Sequence, residues 1–163
     1  MYHFDPVCLL RRLGLLAAVW LTMSAQAADV RIEHVEVALS ERGPVVLLKA
    51  GNKAIPVFVD VTVAESIHAA LAGGKLPRPY SHNLMHSILM AYEGRVSRVE
   101  ITLKASTYYA ALTVVLRDST KVFDSRASDA IALATHFKAP ILVSQELLDA
   151  QGTVIDVPGA QSL

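Results

Sequence analysis

The sequence predicts an α+β fold, a mainly antiparallel sheet packed against about three helices in a single domain. Three observations point there. Apolar residues alternate with polar ones over the first third of the folded region, as in strands. Three separate windows carry helical periodicity between cap and stop signals. No internal repeat or low-complexity linker divides the chain of 163 residues, 53% of them hydrophobic.

The first residues stand apart. Arg11 and Arg12 precede an apolar run from Leu13 to Met23, which ends at Ser24-Ala25-Gln26-Ala27. A basic patch, a short apolar core and an Ala-x-Ala site describe a secretory signal peptide over residues 1–27, cut after Ala27. The run is short of the roughly 20 residues a membrane span needs. The expected location is therefore periplasmic or secreted, with no membrane attachment after cleavage. Residues 28–150 form the expected domain, and 151–163, with their glycines and proline, a flexible tail.

Residues 29–39 read as one strand, with Val30, Ile32, Val35, Val37 and Leu39 alternating and a slip near His34 that suggests a bulge. Ser40-Glu41-Arg42-Gly43-Pro44 is a turn signal, residues 45–48 a second strand and 54–59 a third, so the region reads as an antiparallel meander. Thr62 and Glu65 are spaced as a capping box and open a helix whose stripe is Ile67, Ala70 and Leu71. Gly73-Gly74 stops it. Ser81 caps a second helix through Glu93, with Leu84, Ile88 and Tyr92 along one face and Met85 and Leu89 beside them, and Gly94 ends it. Strands are expected at 95–104, 108–117 and 121–124, with Asp118-Ser119-Thr120 as a turn. Ser128 caps a third helix to Phe137, with Ile131, Leu133, Ala134 and Phe137 facing inward. A short strand over 141–143 and a helical turn over 145–150 follow.

Charge narrows the function classes. With Arg11, Arg12 and Asp5 removed, the 15 basic and 15 acidic residues become 13 and 14, a formal charge of −1. Such a chain lacks the broad basic surface of a general nucleic-acid binder, although a local basic cleft remains open to it. The single cysteine, Cys8, leaves with the leader, so there is no disulfide framework.

Chemistry concentrates in two polar blocks at helix starts, Arg78-Pro79-Tyr80-Ser81-His82-Asn83-Leu84 and Asp124-Ser125-Arg126-Ala127-Ser128-Asp129. Helix N-termini expose unpaired N–H groups and a partial positive charge that favour phosphate. Arg78 and Arg126 stand just ahead of the caps Ser81 and Ser128, and arginine suits bidentate phosphate contact. Two such mouths facing each other would cradle a phosphodiester. The structural alternative is that Arg126 pairs with Asp124, while Asp129 simply suits the dipole of the first turn. Glu65, Asp124 and Asp129 are the carboxylates that could hold Mg²⁺ or Mn²⁺, and His82 is the candidate general base. Glu65 has a competing role in folding back on its cap, and Ser81 and Ser128 are explained by capping. His82 and His86 share a helix face but lack the Glu of the H-E-x-x-H zinc motif. His34, His68 and His136 read as structural or solvent-facing. Of Tyr108 and Tyr109, one faces the core and the other outward, where its ring packs across strands or stacks on a base.

The two blocks, with Val63-Ala64-Glu65-Ser66-Ile67, Tyr108-Tyr109-Ala110-Ala111-Leu112 and Lys138-Ala139-Pro140-Ile141-Leu142-Val143, resemble the bifunctional nuclease (DNase/RNase) domain family. The resemblance runs from about Ile32 to Leu148. The family pattern Arg-Pro-Leu-Thr-His-Asp-Leu corresponds to residues 78–84, with Tyr80, Ser81 and Asn83 in place of Leu, Thr and Asp. The pattern Asp-Ala-Arg-Pro-Ser-Asp-Ala-Ile-Ala-Leu-Ala corresponds to residues 124–134, with Ser125 and Ala127 in place of Ala and Pro. It implies an α+β fold, homo-oligomers, and hydrolysis of phosphodiester bonds in DNA and RNA with weak sequence preference. His82, Asp124, Asp129 and Glu65 are then the expected catalytic side. Arg78, Arg126, Ser81, Ser128 and Asn83 are the expected substrate contacts, with a divalent metal, Mg²⁺ or Mn²⁺, as cofactor and its ligands unassigned. Two departures bear on this. Asn83 stands where the pattern has an acid, and no UVR-type helical module is expected after Leu148. The competing reading is a non-catalytic binding or assembly module that retains the fold.

Overall fold

A computed structural model describes residues 29–74 and 77–154. The leader expected at residues 1–27 lies outside the described residues, as does most of the expected tail. In chain order the elements are β1 (Asp29–Arg31), β2 (His34–Ser40), β3 (Gly43–Ala50), β4 (Lys53–Phe58), α1 (Val61–Ala72), α2 (Ser81–Ala91), β5 (Gly94–Lys104), β6 (Thr107–Leu116), β7 (Ser119–Arg126), α3 (Ala127–Phe137), β8 (Ile141–Ser144), α4 (Gln145–Gln151) and β9 (Thr153–Val154). They make two sheets, one of five strands in the order β1-β8-β5-β6-β7 and one of four in the order β2-β3-β4-β9. The α+β class holds, with β5–β8 the one parallel pairing among the described strands. No helix among the described residues is long and apolar enough to cross a membrane.

The stretch 29–39, expected as one bulged strand, divides between the sheets. Ile32 donates its N–H to the Ile141 carbonyl at 2.9 Å, and the next residue, Glu33, donates to Lys49 at 2.8 Å. The slip at His34 is therefore a crossing between sheets, with buried Ile32 plugging the gap. Alternation alone does not distinguish a bulge from a change of partner. The meander itself forms as expected, with Val37 opposite Val46 and Val46 opposite Val57. Thr153 and Val154, expected in the tail, instead pair with Ala54 and Lys53.

The β5–β6 hairpin turns at Ala105 and Ser106, both left-handed at φ 46° and 64°. Two such residues match the right-handed twist of the flanking strands. The next turn is Arg117-Asp118, with Arg117 at φ 51°, and not 118–120. β7 is correspondingly longer than expected, because it pairs with β6 from Leu116–Ser119 to Tyr109–Arg126.

Helix α3 lies at the centre. Ala130, Ile131, Ala132 and Ala134 are fully buried, and the helix packs on α1, α2 and strands of both sheets. A helix apolar on nearly every side belongs in such a place. In α1, Ile67 is buried as expected, whereas Leu71 is 48% exposed. The turn of α2 is the larger surprise. Its apolar face points outward, with Leu84, Ile88 and Tyr92 all about half exposed, while His82 is the buried residue and Leu89 packs on the core. The helix stops because Glu93 adopts φ 58°. Gly94 then opens β5 where an added Cβ would meet a Leu116 methyl at 3.0 Å and the Leu89 carbonyl at 3.1 Å.

Candidate nucleic-acid site at three helix mouths

The N-terminal ends of α1, α2 and α3 come together. Their cap positions are Asp60, Tyr80 and Arg126, all with extended backbone. Each cap lies one or two residues before the serine or threonine expected to fill it, so Thr62, Ser81 and Ser128 are inside their helices. The reason at α2 is local. Asn83 reaches back to accept the Tyr80 N–H at 3.2 Å, which satisfies one orphan donor from the third helical position. Asn83, expected as a substrate contact, thus has a structural task that an acid would perform equally well.

Asp129 joins two of the mouths. One of its oxygens accepts from His82 Nε2 at 3.1 Å and from Arg126 Nη2 at 3.0 Å, and the other accepts from Arg126 Nε at 2.7 Å. Arg126 therefore pairs with Asp129 and not with Asp124. It also reaches to 3.7 Å from Asp60 at the third mouth. The guanidinium, followed by the His82 hydrogen bond, holds the Asp129 carboxyl below its ordinary range against the opposing effect of burial. His82 is 6% exposed, and with its Nε2 tied to a permanent carboxylate its ring is fixed in orientation. His82, Thr62, Pro79, Tyr80 and Ser81 line a hollow of about 290 Å³. Arg126 itself remains largely in solvent.

The other expected site residues separate from this centre. Glu65 neither folds back on Thr62 nor joins Asp129. It accepts a hydrogen bond from the Tyr80 hydroxyl, which raises the phenol pKa. Asp124 is exposed on β7 opposite Ala111, and Arg78 is exposed one residue before Pro79. Neither makes an ion pair among the described residues. The carboxylates expected to share a divalent metal are thus apart, and both oxygens of Asp129 are taken. Among the described residues no three His, Cys, Asp or Glu side chains are grouped to hold a metal ion. As folded, this donor set does not fit Mg²⁺ or Mn²⁺.

Asp60 and Tyr80 were missing from the expected site. Asp60 is a favoured cap residue by type, but the Thr62–Glu65 spacing offers a competing cap two residues later. Tyr80 carries no local signal, since its partner Glu65 is fifteen residues away. Tyr108 and Tyr109 divide as expected, with Tyr108 against the core and Tyr109 outward beneath the Lys104 ammonium at 5.6 Å.

The bifunctional nuclease domain family model matches residues 45–156, a span that includes every residue of the helix-mouth centre. The chain belongs to this family. Two uncharacterized proteins of Mycobacterium tuberculosis, one from strain CDC 1551 / Oshkosh and one from strain ATCC 25618 / H37Rv, are similar to it. Each is 28% identical over 130 residues, covering 78% of this chain and 77% of the relative.

Behind the mouth of this nuclease-family domain, the same helices enclose a second histidine group. The fully buried Ser66 hydroxyl of α1 is bonded to His136 Nε2 of α3 at 3.1 Å, and the His86 ring of α2 lies 5.5 Å from that of His136. Burial, with charge repulsion from His86 and His82, lowers the His136 pKa from its ordinary 6.5. Between that value and the lower folded one, the unfolded chain binds the extra proton, so stability rises with pH through this window and is lost as pH falls. The urea midpoint is expected to drop from pH 7.5 to pH 5.5, and His136→Gln to flatten that slope. An unchanged slope in the variant would place the titration elsewhere.

Proposed function

We propose that this nuclease-family domain binds and hydrolyses phosphodiester bonds of DNA and RNA, with weak sequence preference, at the three helix mouths. The observation that carries the reading is the Arg126–Asp129–His82 constellation set among the N-termini of α1, α2 and α3. First-turn N–H groups and Arg126 favour a phosphate there. Asp129 stays ionised, orients His82, and stabilises the imidazolium that forms when His82 takes a proton from the attacking water. As the new phosphorus–oxygen bond forms, the bond to the sugar oxygen breaks, and that oxygen takes its proton from solvent. Arg126 offsets the charge gathering on the phosphoryl oxygens. These steps run through the chain's own side chains.

The signal-like sequence at residues 1–27 supports an exported protein, periplasmic or secreted. The outward apolar face of α2, a helix with no charged residue, supports a homo-oligomer. It also favours the second reading, an assembly module that keeps the fold without the chemistry.

The deciding experiment incubates purified protein with labelled single- and double-stranded DNA and RNA, in Mg²⁺, Mn²⁺ or EDTA, beside His82→Ala and Asp129→Ala. Cleavage lost in both variants is the expected result, and the EDTA arm reads the metal requirement directly. Cleavage that survives in both would move the site away from the helix mouths. No cleavage under any condition would leave the assembly module as the standing account.

A further inference from the structure

Arg126 borders a second and larger hollow that the phosphodiester chemistry leaves unused. This cleft, about 570 Å³, opens between the end of β4, the β5–β6 hairpin and the first residues of α3. Its walls combine the rings of Phe58 and Tyr108 with the polar side chains of Ser106, Thr107, Ser128 and Arg126. Phe58 closes β4 with half of its surface in water, an unusual place for a large ring at the end of an otherwise buried strand. Tyr108 is partly buried against the core, and that burial raises its phenol pKa.

We propose that this cleft is a nucleobase pocket. It would hold an unpaired base of the same strand whose phosphate lies at the helix mouths, and the inference rests on the phosphodiester reading above. A base presents a flat π surface and an edge of hydrogen-bond donors and acceptors. The two rings match the surface, since base–aromatic stacking tolerates any sequence. The hydroxyls of Ser106, Thr107 and Ser128 can donate to or accept from whichever edge arrives. Asp60 at the rim accepts from an exocyclic amine, and its contact with Arg126 offsets its charge toward phosphate. Arg126 lines this cleft and is hydrogen-bonded to Asp129. The other partner of Asp129, His82, lines the smaller hollow, so one side-chain relay links the base subsite to the backbone subsite. A base inside a duplex is stacked and paired and cannot enter such a cleft without being extruded. The preferred substrate is therefore single-stranded.

The test uses fluorescence anisotropy at fixed salt, with full-length protein and three labelled probes: a single-stranded DNA dodecamer, an abasic strand of equal length, and the corresponding duplex. The normal strand is expected to bind at least about fivefold more tightly than the abasic strand, the smallest effect of losing one stacked base, and more tightly than the duplex. Phe58→Ala should bring the normal strand to the abasic level and leave abasic binding unchanged. Phe58→Leu, which retains bulk without the ring, guards against a folding effect and should behave as Phe58→Ala does. Equal affinity for normal and abasic strands, still lost in Arg126→Ala, would overturn the base pocket while leaving the phosphate site standing. Duplex binding as tight as single-strand binding would also overturn it. No binding of any probe would overturn both.

Discussion

Asp129→Ala is expected to lower the rate of oligonucleotide cleavage by about a hundredfold or more, the usual range for loss of an oriented acid–base group. One carboxylate serves two partners, so its removal frees the His82 ring and the Arg126 guanidinium together. His82→Ala should cost a similar factor, and the double variant little more than the worse single one, because the residues act as a unit. Independent, multiplying losses would show that His82 and Asp129 serve separate tasks. The same substitution should also cost stability, about 1–3 kcal/mol, because His82 Nε2 is left buried without a partner. Asp129→Asn separates the two effects, since it retains an acceptor for His82 but not the charge that holds Arg126. It should recover most of the urea stability and little of the rate.

Ile131→Ala is expected to destabilise the domain by about 2–5 kcal/mol, the range for emptying a well-packed aliphatic site. Ile131 is fully buried on α3, the helix that touches both sheets and both of the other long helices. No single neighbour can relax into the space without disturbing a second layer. For a domain of this length the thermal midpoint should fall by on the order of 10 °C. Leu84→Ala on α2 is the contrast. Leu84 is 53% exposed, and its loss should cost under about 1 kcal/mol in a monomer. A large, concentration-dependent loss at Leu84, seen by thermal melts at several protein concentrations, would mean that a second copy covers the α2 face. A loss under about 1 kcal/mol at Ile131 would mean that α3 is not the centre of the core.

The two substitutions also mark where local reading of this chain succeeds. Ile131 was legible as a core residue because the Ala-rich run of α3 from Ala130 to Ala134 is apolar at every position, so every orientation buries it. α2 is ambiguous by the same reasoning. It carries an apolar stripe on one side and His82, His86 and Leu89 on the other, and either could face inward. Asp129 and His82 give inward orientation a polar reward, a hydrogen bond spanning 47 residues of sequence. That reward has no trace in the periodicity of α2. The site was legible to the same extent. His82, Arg126 and Asp129 stood out as polar residues at helix starts, yet nothing local said that Arg126 would turn forward to Asp129 instead of back to Asp124. Backbone geometry decides it. Arg126 is the cap residue of α3, so Asp129 lies within its reach in the first turn, whereas Asp124 sits on an extended strand.

By itself the sequence determined the α+β class, the helices and most of the strands, the meander of β2, β3 and β4, and the three polar residues at the centre of the candidate site. These follow from interactions within a few residues: alternation, 3.6-residue periodicity, turn chemistry and capping. The tertiary structure alone decided that residues 29–39 divide between two sheets, that β8 runs parallel to β5, that α2 turns its histidines inward, and that Glu65 and Asp124 stand apart from Asp129. Each of these is a choice between partners with similar local preferences. Long-range hydrogen bonds and the burial of a shared core settle such choices, and those energies exist only once distant segments meet.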